Sequence, residues 1–141
     1  LRSLLEEGKP VCIALMDIDS FRTINNTLGH AVGDRVLAIL GDQLQRISRT
    51  TDIPARYGGD EFCFLSVGGT AEQLAQRLAG AVARRHIRLE LDDRHCSVLL
   101  SVSVGIAAAS PGDTLEELMS RASRAMSCVR AEGKGGMRVA Q

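Results

Sequence analysis

The chain has 141 residues, a length that suits one domain, and 45% of them are hydrophobic, which excludes a disordered chain. Lysine plus arginine and aspartate plus glutamate each number 17, so the formal charge is zero and the basic surplus of a duplex nucleic-acid binder is missing. Aromatic residues make up only 3% and tryptophan is absent, so the expected core is aliphatic.

The opening LRSLLEEGKP reads as the tail of an amphipathic helix ending at Gly8, and the chain as a piece of a longer protein. VCIALMDID, from Val11, is nearly continuous apolar sequence that ends in acids. This predicts a buried central strand with Asp17 at its C-terminal edge. SFRTINNTLGH predicts a short helix with Ser20 as N-cap and Gly29 as stop. A longer helix follows over AVGDRVLAILGDQLQRISR, with Val36, Leu37, Leu40, Leu44 and Ile47 on one stripe. DIPARYGGDEFCFLSV reads as strand, glycine turn, strand.

TAEQLAQRLAGAVARR predicts another helix, opened by a capping box of Thr70 and Gln73, with Leu74, Leu78, Ala81 and Val82 on one face. HIRLEL and CSVLLSVSVGIAAA flank the turn-like DDRH and predict a second hairpin. The last helix, TLEELMSRASRAMSCVRAEG, carries an apolar stripe of Leu115, Leu118, Met119, Ala122, Met126 and Val129, and MRVA adds an edge strand. Strand, two helices, hairpin, helix, hairpin, helix is an α+β order with a mixed, mainly antiparallel sheet surrounded by helices. The whole chain reads as a single domain. Cys12, Cys63, Cys96 and Cys128 form no CxxC pair and sit in or beside apolar stretches, so buried free thiols are expected rather than zinc or disulfides. No apolar run reaches the roughly 18 residues of a membrane helix, so no membrane contact is expected of this domain.

Asp17 ends one strand, and Asp60 and Glu61 begin another directly after Gly58 and Gly59. If the first strand pairs near this hairpin, the carboxylates converge at one sheet edge. Hard cations such as Mg2+ take oxygen ligands and keep substrate phosphates as partners, so a carboxylate cluster beside a glycine turn suits a metal-bound triphosphate. The plain alternative is acids that solvate strand ends. No GxxxxGK[ST] loop and no GxGxxG follows a strand, so a triphosphate would need separate basic side chains. Arg130 and Lys134, four apart at the end of the last helix, share a face; the plain alternative is cations favoured by the helix dipole.

In the frame RYGGDEF the sequence resembles the GGDEF domains, the diguanylate cyclases. Upstream, DIDSFRTINNTLGHAVGDRVL is similar to that family's D-x-D-x-F-K-x-I-N-D-x-x-G-H-x-x-G-D-x-x-L, SVSVGIA to its S-x-G-I-A strand, and the end of the last helix to its A-K-x-x-G-R segment. The resemblance runs from about Val11 to Val139. It implies a fold similar to the polymerase palm and the class III nucleotide cyclases. It also implies condensation of two GTP into cyclic di-GMP, with two pyrophosphates released, by two domains that face each other with one GTP each.

The resemblance further implies Mg2+, with Mn2+ as the alternative ion, held by Asp17, Asp60 and the backbone carbonyl of Ile18. Asp60 would help deprotonate the 3′-hydroxyl, with Glu61 assisting. Asn25 and Asp34 would read guanine, His30 would line the pocket, and Gly58 and Gly59 would admit the nucleotide. Arg22, Arg130 and Lys134 would stand by the phosphates, where the family has Lys, Lys and Arg. RTTD places Arg49 and Asp52 at the family's inhibitory product site. Asn26 replaces an Asp, Ser127 replaces a common Tyr, and GKGGMRV is longer than the family's G-R-N-R-V.

The family's D-x-L-T-x-L-x-N-R segment belongs before this chain, so the fragment alone is expected to turn over poorly. A cytoplasmic bacterial setting is implied, with an upstream sensory or receiver domain that can tether the protein to a membrane. A non-catalytic module binding GTP or cyclic di-GMP is the alternative. A class III cyclase acting on one nucleotide is a third reading, opposed by Asn25 and Asp34.

Overall fold

The computed structural model describes residues 7–140, so the predicted opening helix lies outside the described residues. The elements run β1 (Val11–Ile18), α1 (Phe21–Leu28), α2 (His30–Ile47), β2 (Ile53–Arg56), β3 (Glu61–Val67), α3 (Ala71–Val82), β4 (Arg85–Leu91), β5 (Arg94–Leu100), β6 (Val102–Ala108), α4 (Leu115–Ala131) and β7 (Gly136–Val139). The fold is α+β, as expected.

Five strands form the central sheet in the order β2-β3-β1-β6-β7. All its pairings are antiparallel except β6 with β7. The apolar run of β1 puts it in the middle, where both faces are covered and every residue is buried. Its period-two alternation divides the core. Cys12, Ala14, Met16 and Ile18 pack with Phe62, Phe64 and the apolar stripes of α1, α2 and α3. Val11, Ile13 and Leu15 face the other way, onto Leu118, Ala122 and Met126 of α4. Each such large side chain contributes roughly 1.5–3 kcal/mol when fully buried.

Several sequence readings need correction. The long strand after DDRH is two strands in two sheets, because the chain leaves the ladder at Ser101. The Ser101 carbonyl there accepts from the Asp19 N–H (2.8 Å). β4 and β5 therefore form their own two-stranded sheet, and β6 alone enters the central one. Ser20 occupies the N-cap position of α1 but makes no capping bond; its φ of 59° turns the chain sharply there instead. Leu115 is 47% exposed and contributes little to its predicted stripe.

The Thr70–Gln73 capping box is present with both of its bonds. All four cysteines are free, but only Cys12 is fully buried and Cys128 is exposed, which corrects the expectation of four buried thiols. Burial pushes the Cys12 and Cys63 thiols up, so both are inert at neutral pH. Among the described residues no helix is long and apolar enough to cross a membrane.

Candidate active site

The antiparallel register places Asp17 of β1 directly opposite Glu61 of β3. The Ile18 N–H donates to the Asp60 carbonyl at 3.2 Å, so the pairing continues one step into the glycine turn. The three acids therefore meet at one end of the two central strands. The turn is closed by the Tyr57 N–H to the Glu61 carbonyl (2.7 Å) and by Arg56 Nη2 to the Gly59 carbonyl (2.9 Å). Gly58 has φ +85°, which a side chain rarely adopts.

The Ile18 carbonyl also has a fixed direction. A trans peptide points its C=O and the following N–H in opposite directions. The Asp19 N–H is donated to the Ser101 carbonyl at the start of β6, so the Ile18 carbonyl faces the hairpin that carries Asp60.

Asp17 is 4% exposed. Its Oδ2 accepts from Arg130 Nη1 at 2.8 Å, while Oδ1 is buried without a hydrogen-bond partner among the described residues. Burial pushes the Asp17 carboxyl up to about 7, and the neighbouring Asp60 carboxyl and the Glu61 charge push in the same direction against Arg130. An orphaned carboxylate oxygen, two further acids and an aimed carbonyl are the oxygen donors a hard cation takes. Among the described residues no three acids close into a ready-made cage. The donor set therefore fits an ion completed by phosphate oxygens, as Mg2+ usually is.

Stability should depend on pH as a result. Folded Asp17 holds its proton to higher pH than the unfolded chain does, so its contribution is complete below the ordinary value of 3.8 and is lost as pH rises toward about 7. Thermal melts without divalent ions should show stability falling across that window, and Asp17→Asn should flatten the fall. A wild-type melting temperature that rises across the same window would contradict the burial argument.

Asn25 on α1 has its Oδ1 buried and without a partner among the described residues. It lies against α2 at Gly33, where an added Cβ would sit 1.8 Å from that oxygen. The neighbouring residue, Asp34, is exposed. The structure thus brings Asn25 and Asp34 to one helix junction. Arg22 and His30 are exposed on α1 and at the start of α2. Lys134, also exposed, follows α4 with φ +65°.

Arg49 and Asp52 lie elsewhere, at the opposite end of β2 from the glycine turn. Asp52 is buried; its Oδ2 accepts from the Arg49 N–H (2.8 Å) and from Arg77 Nη2. Burial alone would raise its pKa, but the Arg77 guanidinium and the Arg49 N–H hold the carboxyl below its ordinary range. Its Oδ1 is buried without a hydrogen-bond partner among the described residues. The Arg49 side chain remains exposed beside a cavity of about 330 Å3 that Arg77, Ser66 and Thr70 also line. Arg77 belongs to none of the motifs in the sequence. Its signal was an arginine three residues after Leu74, on the face of α3 that packs on the core.

An α+β domain with three acids gathered at its central hairpin joint, and an amide and a carboxylate at the junction of two helices, has the layout of the GGDEF class. The chain belongs to that family: the sequence profile described as diguanylate cyclase, GGDEF domain, matches residues 1–136. It is 35% identical over 133 residues to the response regulator PleD of Caulobacter vibrioides, covering 92% of this chain and 29% of PleD. It is 33% identical over 131 residues to the cyclic di-GMP phosphodiesterase NbdA of Pseudomonas aeruginosa, covering 90% of this chain and 16% of NbdA. The chain thus spans less than a third of the length of these relatives. Among solved structures it superposes on the GGDEF domain of DgcB from Caulobacter crescentus in complex with cyclic di-GMP. The TM-score is 0.89 at 28% identity, covering 97% of this chain and 81% of that one. The GGDEF domain of TpbB from Pseudomonas aeruginosa gives a TM-score of 0.88 at 30% identity, covering 99% and 88%.

Proposed function

We propose that this domain is a diguanylate cyclase that condenses two GTP into cyclic di-GMP. The observation that carries the reading is the Asp17–Glu61 register with Asp60 bonded to Ile18, which gathers oxygen donors at a glycine turn. Asp17, Asp60 and the Ile18 carbonyl would hold Mg2+, or Mn2+ in its place. The ion would orient the phosphates and offset developing charge. Asn25 accepts from the guanine edge through its unpaired Oδ1, and Asp34 accepts beside it. Arg22, Arg130 and Lys134 neutralise the phosphates, and His30 lines the nucleotide pocket.

Asp60, assisted by Glu61, takes the proton of the 3′-hydroxyl that attacks the α-phosphate of the other GTP, and pyrophosphate leaves. One carboxylate joint and one base-reading pair serve one nucleotide, so two domains must face each other as a homodimer. The setting is cytoplasmic, with an upstream receiver or sensory domain; the likeness to a response regulator supports that arrangement.

The base-reading half is tested by binding. GTP should bind in preference to ATP, and Gly33→Ala should weaken GTP roughly tenfold by displacing Asn25 while far-ultraviolet circular dichroism stays unchanged. Equal affinities for GTP and ATP would sink the guanine assignment.

The same domain is inhibited by its product at Arg49 and Asp52, beside the cavity that Arg49 shares with Arg77. Two guanidiniums suit a ligand with two phosphates and two guanines. Arg49→Ala should raise the cyclic di-GMP concentration that halves activity by roughly tenfold or more, with the uninhibited rate kept. An unchanged inhibition curve would remove the site. The similarity to NbdA, named as a phosphodiesterase, sustains one second reading: a module that binds GTP or cyclic di-GMP without turnover.

A further inference from the structure

Asp19 is a buried carboxylate for which the nucleotide reading has no use. It is 7% exposed, and both of its oxygens are engaged. Ser101 Oγ donates to Oδ2 at 2.6 Å and Ser103 Oγ donates to Oδ1 at 2.7 Å. Each hydroxyl has a single proton, so both serines are committed as donors. The free lone pair of Ser103 then accepts the Gly135 N–H at 3.2 Å. The Asp19 N–H donates to the Ser101 carbonyl at 2.8 Å. One residue thus links three separate pieces of chain: the end of β1, the start of β6 and the glycine loop between α4 and β7.

Backbone strain marks the same place. Among the described residues only two non-glycine residues have positive φ, Ser20 at 59° and Lys134 at 65°. Ser20 follows Asp19 in the chain. Lys134 precedes Gly135, the residue tied through Ser103. Such conformations persist where the surroundings over-determine them. The Lys134 N–H donates to the Val129 carbonyl in the last turn of α4 (3.2 Å), so the loop is held from the helix on one side and from Ser103 on the other. Space is tight as well: a Cβ on Gly135 would lie 2.9 Å from Ser101 Oγ.

We infer that Asp19 is a positioning residue. It holds the 133–136 loop against β6 so that Lys134 is presented toward the nucleotide phosphates, and it anchors the Ser101 contact that aims the Ile18 carbonyl. This inference rests on the phosphate role proposed above for Lys134. It assigns no metal contact to Asp19, each of whose oxygens accepts a serine hydroxyl.

The experiment compares Asp19→Asn, Ser103→Ala, Lys134→Ala and the double variant Asp19→Asn/Lys134→Ala in the intact protein. Asparagine keeps the shape but presents an NH2 to one serine proton. Ser103→Ala leaves the carboxylate in place and cuts its link to Gly135, so it serves if Asp19→Asn fails to fold. The first readout is amide hydrogen exchange without nucleotide. Exchange at Gly135 should accelerate roughly tenfold or more in both Asp19→Asn and Ser103→Ala, with the amides of β1 unchanged. Unchanged exchange at Gly135 overturns the inference, whatever the protein binds.

The second readout is GTP affinity in the presence of Ca2+. Asp19→Asn should weaken GTP by roughly 10-fold, and adding it to Lys134→Ala should cost nothing more. Losses that multiply would mean that Asp19 does not act through Lys134. Unchanged affinity in Lys134→Ala alone contradicts the phosphate role itself, while exchange at Gly135 still decides whether Asp19 holds the loop.

Discussion

Asp60→Ala is expected to lower the rate of GTP turnover by about a thousandfold or more while leaving the fold intact. Asp60 stands at the joint where the hairpin meets β1, and its backbone carbonyl, which alanine keeps, bonds the Ile18 N–H. The variant therefore removes the carboxyl group without breaking the ladder. It also takes a carboxyl away from Asp17, whose proton is held partly by that neighbour. The melting temperature of the free protein should accordingly stay level or rise near neutral pH, since one cause of repulsion is gone. Lost turnover with an undiminished melting temperature would identify a functional carboxylate. Turnover within tenfold of wild type would show that Asp60 neither holds the metal nor takes the proton.

The second large effect concerns folding. Gly105→Ala should destabilise the domain by more than about 3 kcal/mol. Gly105 lies on β6 under α4, where an added Cβ would come within 2.0 Å of the Ala122 carbonyl oxygen and 2.3 Å of the Met126 nitrogen. Both are backbone atoms of a continuous helix, so neither can swing away. α4 would have to lift from the sheet, opening the cluster of Leu118, Ala122 and Met126 against Ile13 and Leu15. Urea unfolding monitored by circular dichroism measures the loss. A change below about 1 kcal/mol would mean that α4 can sit farther from β6 than it does here.

Much of this was legible beforehand because local pattern and global fold agree. β1 is an unbroken apolar run and could only be central. RYGGDEF carries its own turn, so the hairpin and its acids are predictable; the convergence of Asp17 with them is conditional on β1 pairing beside the hairpin, and the observed register meets that condition. The α3 start was spelled out by Thr70 and Gln73.

What failed depended on contacts between distant residues. CSVLLSVSVGIAAA has no proline or glycine before Gly105 to announce a break. The break at Ser101 arises because Asp19, far away in sequence, takes its carbonyl and its hydroxyl. Ser20 looked like a capping residue by type, yet the chain turns there in a left-handed conformation and its side chain makes no cap. Arg77 is one of many arginines in the sequence, and the tertiary structure places it on Asp52 and over the Phe64 ring.

The most direct test is to incubate the full-length protein with GTP and Mg2+ and to separate the nucleotides by chromatography. Cyclic di-GMP, with two pyrophosphates released for each molecule formed, is the predicted result. GTP that binds and is recovered unchanged, with the protein at concentrations where it self-associates, would contradict the cyclase and leave the binding module in its place.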